Sequence, residues 1–225
     1  KLDYALGCNT YEYVKEYFIK NNKNIVIKPN NGTCGQNVIN IRDINEIDSI
    51  LDKIFSNNYS ISICPFYDIK HEYRAIMLNG KVKLLYAKYL PIVTGNGKKT
   101  IRQLLLEFNY DYFKDKLEDS KFDKILNKNE KFKYNWKFNL SQGAITKKVN
   151  NTELSKKLIN IAKVVSKEIN FKFGSIDIIQ TVNNDLLVLE VNSGLMTENY
   201  IRLNKDGYET AKNIYRSAIE ELFNN

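Results

Sequence analysis

The sequence has one histidine and three cysteines among its 225 residues, and each scarcity excludes a class of chemistry. His71 adjoins Glu72, but a catalytic histidine needs an orienting partner and a nucleophile. Neither is evident beside it, so His71 reads as structural or solvent-facing. Cys8, Cys34 and Cys64 are odd in number and form no CxxC pair. That argues against a disulfide framework or structural zinc site and for a reducing cytoplasm. No apolar run is long enough to span a bilayer, and the opening KLDYALGCNTYEY lacks a signal peptide's apolar core. There is no GK[ST] Walker loop, no GxGxxG, no internal repeat, no low-complexity tract and no flexible linker.

What is present is an ordinary globular balance, 43% hydrophobic and 27% charged, enough for a sizeable core in one large domain or two lobes. The net charge of +8 with a pI near 9.1 raises the question of nucleic acid. No basic cluster is interleaved with aromatics, so the excess reads as lysine spread over solvated helices, such as Lys156-Lys157. The same balance suits a cleft for polyphosphate. The expectation is no nucleic-acid partner and no membrane.

Periodicity predicts a helix over 10–20, with Tyr13, Tyr17 and Phe18 as core contacts. A strand, Ile25 to Lys28, ends at Pro29 and is followed by NNGTCGQNV. Gly32 and Gly35 permit conformations that aim successive N–H groups at an anion, and Lys28 can add a point charge to a phosphate. Strand character resumes at Val38 to Ile41, so the loop reads as a hairpin tip. A helix over 45–55 and a strand over 60–64 precede Pro65-Phe66-Tyr67. Asn79-Gly80 is the strongest short hairpin signal. Further helices are expected over 101–108, 152–169 with Thr152 as N-cap, and 207–223. Residues 109–138 show weak periodicity and read as helix plus extension, and NLSQGA as a polar turn.

The chain is organised around FGSIDIIQTVNNDLLVLEVNSGLMTE, two β-branched runs flanking Asn183-Asn184-Asp185. Inside the apolar runs sit Asp177, Glu190 and Asn192. Buried carboxylates are costly unless paired. Side chains alternate along a strand, so Glu190 and Asn192 share a face. A two-residue loop at Asn183-Asn184 sets Asp177 opposite Glu190; a four-residue loop sets it opposite Asn192. A three-residue loop at 183–185 without a bulge would pair Asp177 with Val191 and separate the carboxylates. Converging hard oxygen ligands suit Mg²⁺ carrying substrate phosphates; the plain alternative is a solvated polar face on an ordinary hairpin.

Taken together, IVIKPNNGTCGQNV, HEYRAIMLNGKV, TGNGKKTIRQLL, NLSQGA and GSIDII…LEVNSG, in this order, resemble the ATP-grasp carboxylate–amine ligases. The resemblance is greatest to the ligase regions of cyanophycin synthetases and bifunctional glutathione synthetases. It implies an α+β fold of two lobes, 1–64 and 65–225, each built on an antiparallel sheet with packed helices, with the nucleotide in the cleft between them. It implies an ADP-forming enzyme that activates a carboxylate as an acyl phosphate and joins it to an amine. ATP and one or two Mg²⁺ ions follow, with Mn²⁺ as a substitute. By motif, Lys28 contacts phosphate, and Gly32, Thr33, Gly35 and Gln36 belong to a flap over the triphosphate. Pro65, Phe66 and Tyr67 form the hinge at the adenine edge, and Glu72 bonds the ribose. Asp177, Glu190 and Asn192 hold metal, and Arg74, Lys88 and Asn192 serve catalysis. Small-molecule or peptide carboxylate and amine substrates are expected, with a homo-oligomer or a separate N-terminal domain as partner. Relatives often carry an acidic residue where Pro65 stands and proline-glycine after the metal-binding asparagine. The chain also begins too late to include the family's preceding α/β domain, as in a fragment or a protein of two chains. The alternative function is an ATP-binding regulatory or assembly module without ligation.

Overall fold

The computed structural model describes residues 10–30, 35–56, 60–150 and 152–223. The chain divides into two compact units, Lys1–Asp68 and Ile69–Asn225.

In the first unit, helix α1 (Thr10–Lys20) leads into strand β1 (Ile25–Pro29), followed by β2 (Ile39–Ile41), α2 (Ile47–Phe55) and β3 (Ile61–Pro65). The strands form an antiparallel sheet in the order β2-β1-β3. Ile25 and Ile27 alternate with Val26 and Lys28, so one face is apolar. That face, with Ile41 and Ile63, packs against Val14, Tyr17 and Phe18 of α1 and Ile47, Leu51 and Ile54 of α2. The loop from β1 to β2 is a hairpin connection, as its sequence suggests.

In the second unit, β4 (Ile69–Leu78) and β5 (Lys81–Tyr89) form a hairpin whose turn is Asn79-Gly80. Both turn residues have positive φ, 44° and 72°, the backbone twist that matches paired strands. Next come β6 (Ile92–Thr94), α3 (Ile101–Phe108), α4 (Tyr110–Phe113) and β7 (Lys131–Lys133). Thr100 caps α3 reciprocally with Gln103. These pieces enclose their own core of Val93, Ile101, Leu105, Phe113, Leu117, Phe122 and Leu126. The chain then returns through β8 (Ile145–Lys148), α5 (Glu153–Glu168), β9 (Phe173–Thr181), β10 (Leu186–Asn192), α6 (Glu198–Leu203) and α7 (Gly207–Phe223).

The main sheet is antiparallel, in the order β10-β9-β4-β5-β8. Its two faces differ sharply. Tyr73, Ala75, Met77, Ala87, Ile176 and Ile178 point to one side and pack against Leu158 and Ala162 of α5. Thr152 caps that helix with Ser155, as its place in the sequence predicts. Residues between them in the strands point the other way, among them Glu72, Arg74, Ile76, Tyr86, Lys88, Ser175 and Asp177. The second side carries the charged residues beside a smaller core of Tyr86, Leu140, Ala144 and Tyr200. Among the described residues no helix is long and apolar enough to cross a membrane.

Gly174 ties this packing to the end of β10. Its φ is 142°, and a Cβ there would lie 2.2 Å from the carbonyl oxygen of Asn192 and 2.5 Å from the Phe171 ring. Only a residue without a side chain admits that approach. Gly174→Ala should therefore lose stability by about 1–3 kcal/mol, the usual range for strained backbone. Urea denaturation measures it; an unchanged midpoint would show that β10 moves aside without penalty.

Candidate functional site

The polar face depends on two single-residue bulges. The hairpin from β9 to β10 pairs Leu186 with Gln180, Leu187 with Ile179 and Val188 with Ile178. Thr181 N–H donates to Asp185 O at 3.0 Å and Asn184 N–H to Thr181 O at 2.9 Å, so the loop proper is 182–184. That is an odd loop, one residue earlier than the 183–185 considered from sequence, with Asn184 left-handed at φ 67°. Continued unbroken, this register would set Asp177 against Leu189 and turn Glu190 toward α5. Instead the register shifts between Val188 and Glu190, and the ladder resumes as Glu190 opposite Asp177 and Asn192 opposite Ser175. Asp177, Glu190 and Asn192 thus share one face.

The second bulge lies in β5. An unbroken ladder from the Asn79-Gly80 turn would put Lys88 opposite His71, on the apolar side. A shift at Ile76/Met77 leaves Lys83 extra and pairs Arg74 with Tyr86 and Glu72 with Lys88. Since β4 pairs Arg74 with Asp177, the two bulges bring cations and carboxylates into phase.

The resulting contacts are dense. Arg74 grips Asp177 with both ends of its fork, Nε to Oδ1 at 2.7 Å and Nη2 to Oδ2 at 2.6 Å. Lys88 Nζ donates to Asp177 Oδ2 at 3.1 Å and also to Glu72 Oε1. Asp177 is 1% exposed, Lys88 4% and Glu72 7%, so these charges are stable only as a paired set. Burial works to raise the Asp177 pKa, but the Lys88 charge and the Arg74 bonds outweigh it and hold the group at about 2. Burial also opposes the charge on Lys88, yet Asp177 and Glu72 raise its pKa. For Glu72 burial prevails over Lys88, and its pKa is raised. Tyr86, buried beside Arg74 with its ring tilted against that of Tyr200 at 5.0 Å, completes the floor. Its place could be read from strand alternation, two residues before Lys88.

Glu190 and Asn192 are half-buried, and Asn192 Nδ2 donates to Glu190 Oε1 at 3.0 Å. Among the described residues no group of three or more His, Cys, Asp and Glu side chains is placed to hold a metal. The oxygen set on this face is two carboxylates and one amide, which fits a hard divalent ion that takes its other ligands from phosphate and water. Glu72, expected at a ribose, is joined to Asp177 through Lys88, a link the sequence does not reveal. His71 has the rings of Tyr73 and Tyr89 within 6.2 and 5.7 Å, and burial lowers its pKa.

In the first unit, Lys28 pairs with Ser62 on the sheet face away from the helices. Gly35 is left-handed at φ 68°, and Gln36 is exposed. Gly32 and Thr33 lie outside the described residues. Pro65 ends β3, Phe66 N–H donates to Asn24 O at 3.0 Å, and the Arg42 guanidinium lies 5.5 Å from the Phe66 ring centre. Tyr67 follows, half-buried.

The pairing of Asp177 has a pH signature. Its carboxyl is depressed from the ordinary 3.8 to about 2, so its stabilisation is complete above about pH 4 and is lost as pH falls through about 2. Glu72, shifted upward, acts oppositely and at higher pH. Asp177→Asn should cost about 3–5 kcal/mol at neutral pH, because Arg74 loses its carboxylate and Lys88 is left with Glu72 alone. It should also flatten the stability loss between pH 4 and 2. Denaturant titrations across pH test both; an acid limb identical to that of the unaltered protein would remove Asp177 from the network.

No protein-family profile matches the chain. Over 106 residues it is 30% identical to the glutathione biosynthesis bifunctional protein GshAB of Streptococcus mutans, which covers 46% of this chain and 14% of that protein. Among solved structures it is similar to D-alanine–D-alanine ligase from Bacillus anthracis at 14% identity and a TM-score of 0.56, covering 98% of this chain and 64% of the ligase. It is also similar to the ATP-grasp ligase PsnB in complex with a phosphomimetic variant of its minimal precursor, Mg and ADP. There the identity is 10%, the TM-score 0.53 and the coverage 92% of this chain and 50% of PsnB. The chain spans less than two thirds of each of these relatives. With its antiparallel sheets and this likeness over nearly all of its length, the chain has the ATP-grasp fold.

Proposed function

We propose that the chain is the nucleotide- and metal-binding part of an ADP-forming carboxylate–amine ligase. The observation that carries this reading is the shared face of Asp177, Glu190 and Asn192, set by a bulge and bordered by Arg74 and Lys88. An ordinary hairpin has no reason to break its ladder to bring two carboxylates together. The fold adds support, because the similar structures include a D-alanine–D-alanine ligase and an ATP-grasp ligase with Mg and ADP.

In this reading a carboxylate oxygen attacks the γ-phosphorus of ATP and releases ADP; an amine then displaces phosphate from the acyl phosphate and forms the amide. Asp177, Glu190 and Asn192 would hold Mg²⁺, which supplies charge neutralisation during phosphoryl transfer. A second ion, or Mn²⁺ in place of Mg²⁺, is compatible with the same oxygen donors. Arg74 has more N–H donors than its Asp177 pair uses, which suits it to a carboxylate or phosphate oxygen. Lys88 is the second cation of that face. Lys28 would contact phosphate, with Gly32, Thr33, Gly35 and Gln36 as the flap. Pro65, Phe66 and Tyr67 would meet the adenine, and Glu72 the ribose. Small-molecule or peptide carboxylates and amines are the substrate class. A cytoplasmic setting matches the cysteine usage.

Two measurements test the proposal. Mg-ATP at about a hundred times its Kd should stabilise the protein by ~2.7 kcal/mol, seen as a raised melting temperature. ADP release, screened over amino acids and peptides with mass spectrometry of the products, should nearly vanish in Glu190→Ala. Asn192→Ala should be milder, because a neutral ligand contributes less than a carboxylate. Circular dichroism should be unchanged in both, since neither substitution removes core volume. Full turnover in folded Glu190→Ala would defeat the metal-site reading.

A further inference from the structure

Asp177 presents a difficulty for the metal that the proposed function assigns to it. Both of its oxygens already accept from cations, Oδ1 from Arg74 and Oδ2 from Arg74 and Lys88. A divalent ion reaching this carboxylate must compete with two positive charges within hydrogen-bond distance.

The two cations differ in how readily they yield. Arg74 is held by a planar two-point fork, which fixes its position. Lys88 is a single ammonium on a flexible stem, and it touches two carboxylates, Asp177 and Glu72. It can therefore leave Asp177 and keep an ionic partner. Its bond to Asp177, at 3.1 Å, is longer than either Arg74 bond. The bulge at Lys83 is what places Lys88 here at all.

We propose that Lys88 is a positioning residue that acts as a latch on Asp177, withholding that carboxylate from metal until an anionic ligand draws the ammonium away. The inference rests on the reading of Asp177, Glu190 and Asn192 as metal ligands. It goes beyond that reading by making metal affinity depend on Lys88 and Glu72, neither of which is a metal ligand. Metal and phosphate-bearing ligand then bind with positive linkage, each favouring the state the other needs. Glu72 sets the balance, because it is the alternative seat for the ammonium.

The test is Mn²⁺ binding to the full chain without nucleotide, read from the electron paramagnetic resonance signal of free Mn²⁺. Lys88→Met should bind Mn²⁺ about tenfold more tightly or better, ~1.4 kcal/mol. Glu72→Gln removes the alternative ionic seat, leaves the ammonium on Asp177 and should weaken Mn²⁺ binding. The double variant Glu72→Gln with Lys88→Met removes one charge of each sign and should reproduce the gain of Lys88→Met, which guards against misfolding of the single variant. Pyrophosphate should raise Mn²⁺ affinity in the unaltered protein and narrow its gap to Lys88→Met, with pyrophosphate–Mn²⁺ complexes measured separately. Equal nucleotide-free affinity in the unaltered protein, Lys88→Met and the double variant overturns the latch. If Glu190→Ala meanwhile abolishes Mn²⁺ binding, the metal site stands and the latch alone fails. If Glu190→Ala binds Mn²⁺ like the unaltered protein, with or without pyrophosphate, both fall.

Discussion

Strand phase is the constraint on which the rest of this structure depends. A strand alternates its side chains, so one residue of slip exchanges its two faces. Here two slips are built in, one at Lys83 and one in β10 between Val188 and Glu190. The first brings Lys88 to the face of Glu72 and Arg74; the second brings Glu190 to the face of Asp177. On the opposite side the same slips keep Val82 and Leu85 of β5, and Leu186 and Val191 of β10, against the core that Ala75, Met77, Ile176 and Ile178 form with Leu158 and Ala162. The two bulges thus set the apolar and the charged residues of β5 and β10 in phase with their neighbours at once.

The polar face must then satisfy its own electrostatics. Asp177, Glu72 and Lys88 are nearly inaccessible, and unpaired charges in that setting would cost several kcal/mol each. The pairing of two carboxylates with Arg74 and Lys88 balances the group and keeps Asp177 ionised well below its ordinary range. The same pairing couples residues whose sequence positions suggest separate tasks. Glu72 and Asp177 lie on different strands, yet one ammonium bridges them. A ligand that engages either carboxylate is felt by the other.

Much of this was legible in the sequence where the pattern is local. The helices over 10–20 and 207–223 stand as periodicity places them, Thr152 caps α5, and Asn79-Gly80 turns β4 into β5. Alternation alone put Glu190 and Asn192 on one face. The bulges were not legible, because nothing in Lys83 or Leu189 distinguishes an extra residue from a paired one. Register is settled by burial on the far side of the sheet, through residues as distant as Leu158 and Ile178. α3 stands over 101–108 as expected, but the segment over 109–138 was obscure for a related reason. Its core draws on Val93, Leu105, Phe113 and Phe122, which lie on different short elements and share no single period. The triple engagement of Asp177 depends on both bulges at once and so could not be read from either strand.

We propose that this bulge-set face is a metal-dependent nucleotide site. Calorimetric titration of ATP into the protein, with Mg²⁺ and with EDTA, tests it most directly when repeated on Glu190→Gln. The account predicts saturable heat with Mg²⁺, strongly diminished by EDTA and in the variant. Equal ATP affinity under all of these conditions would contradict it.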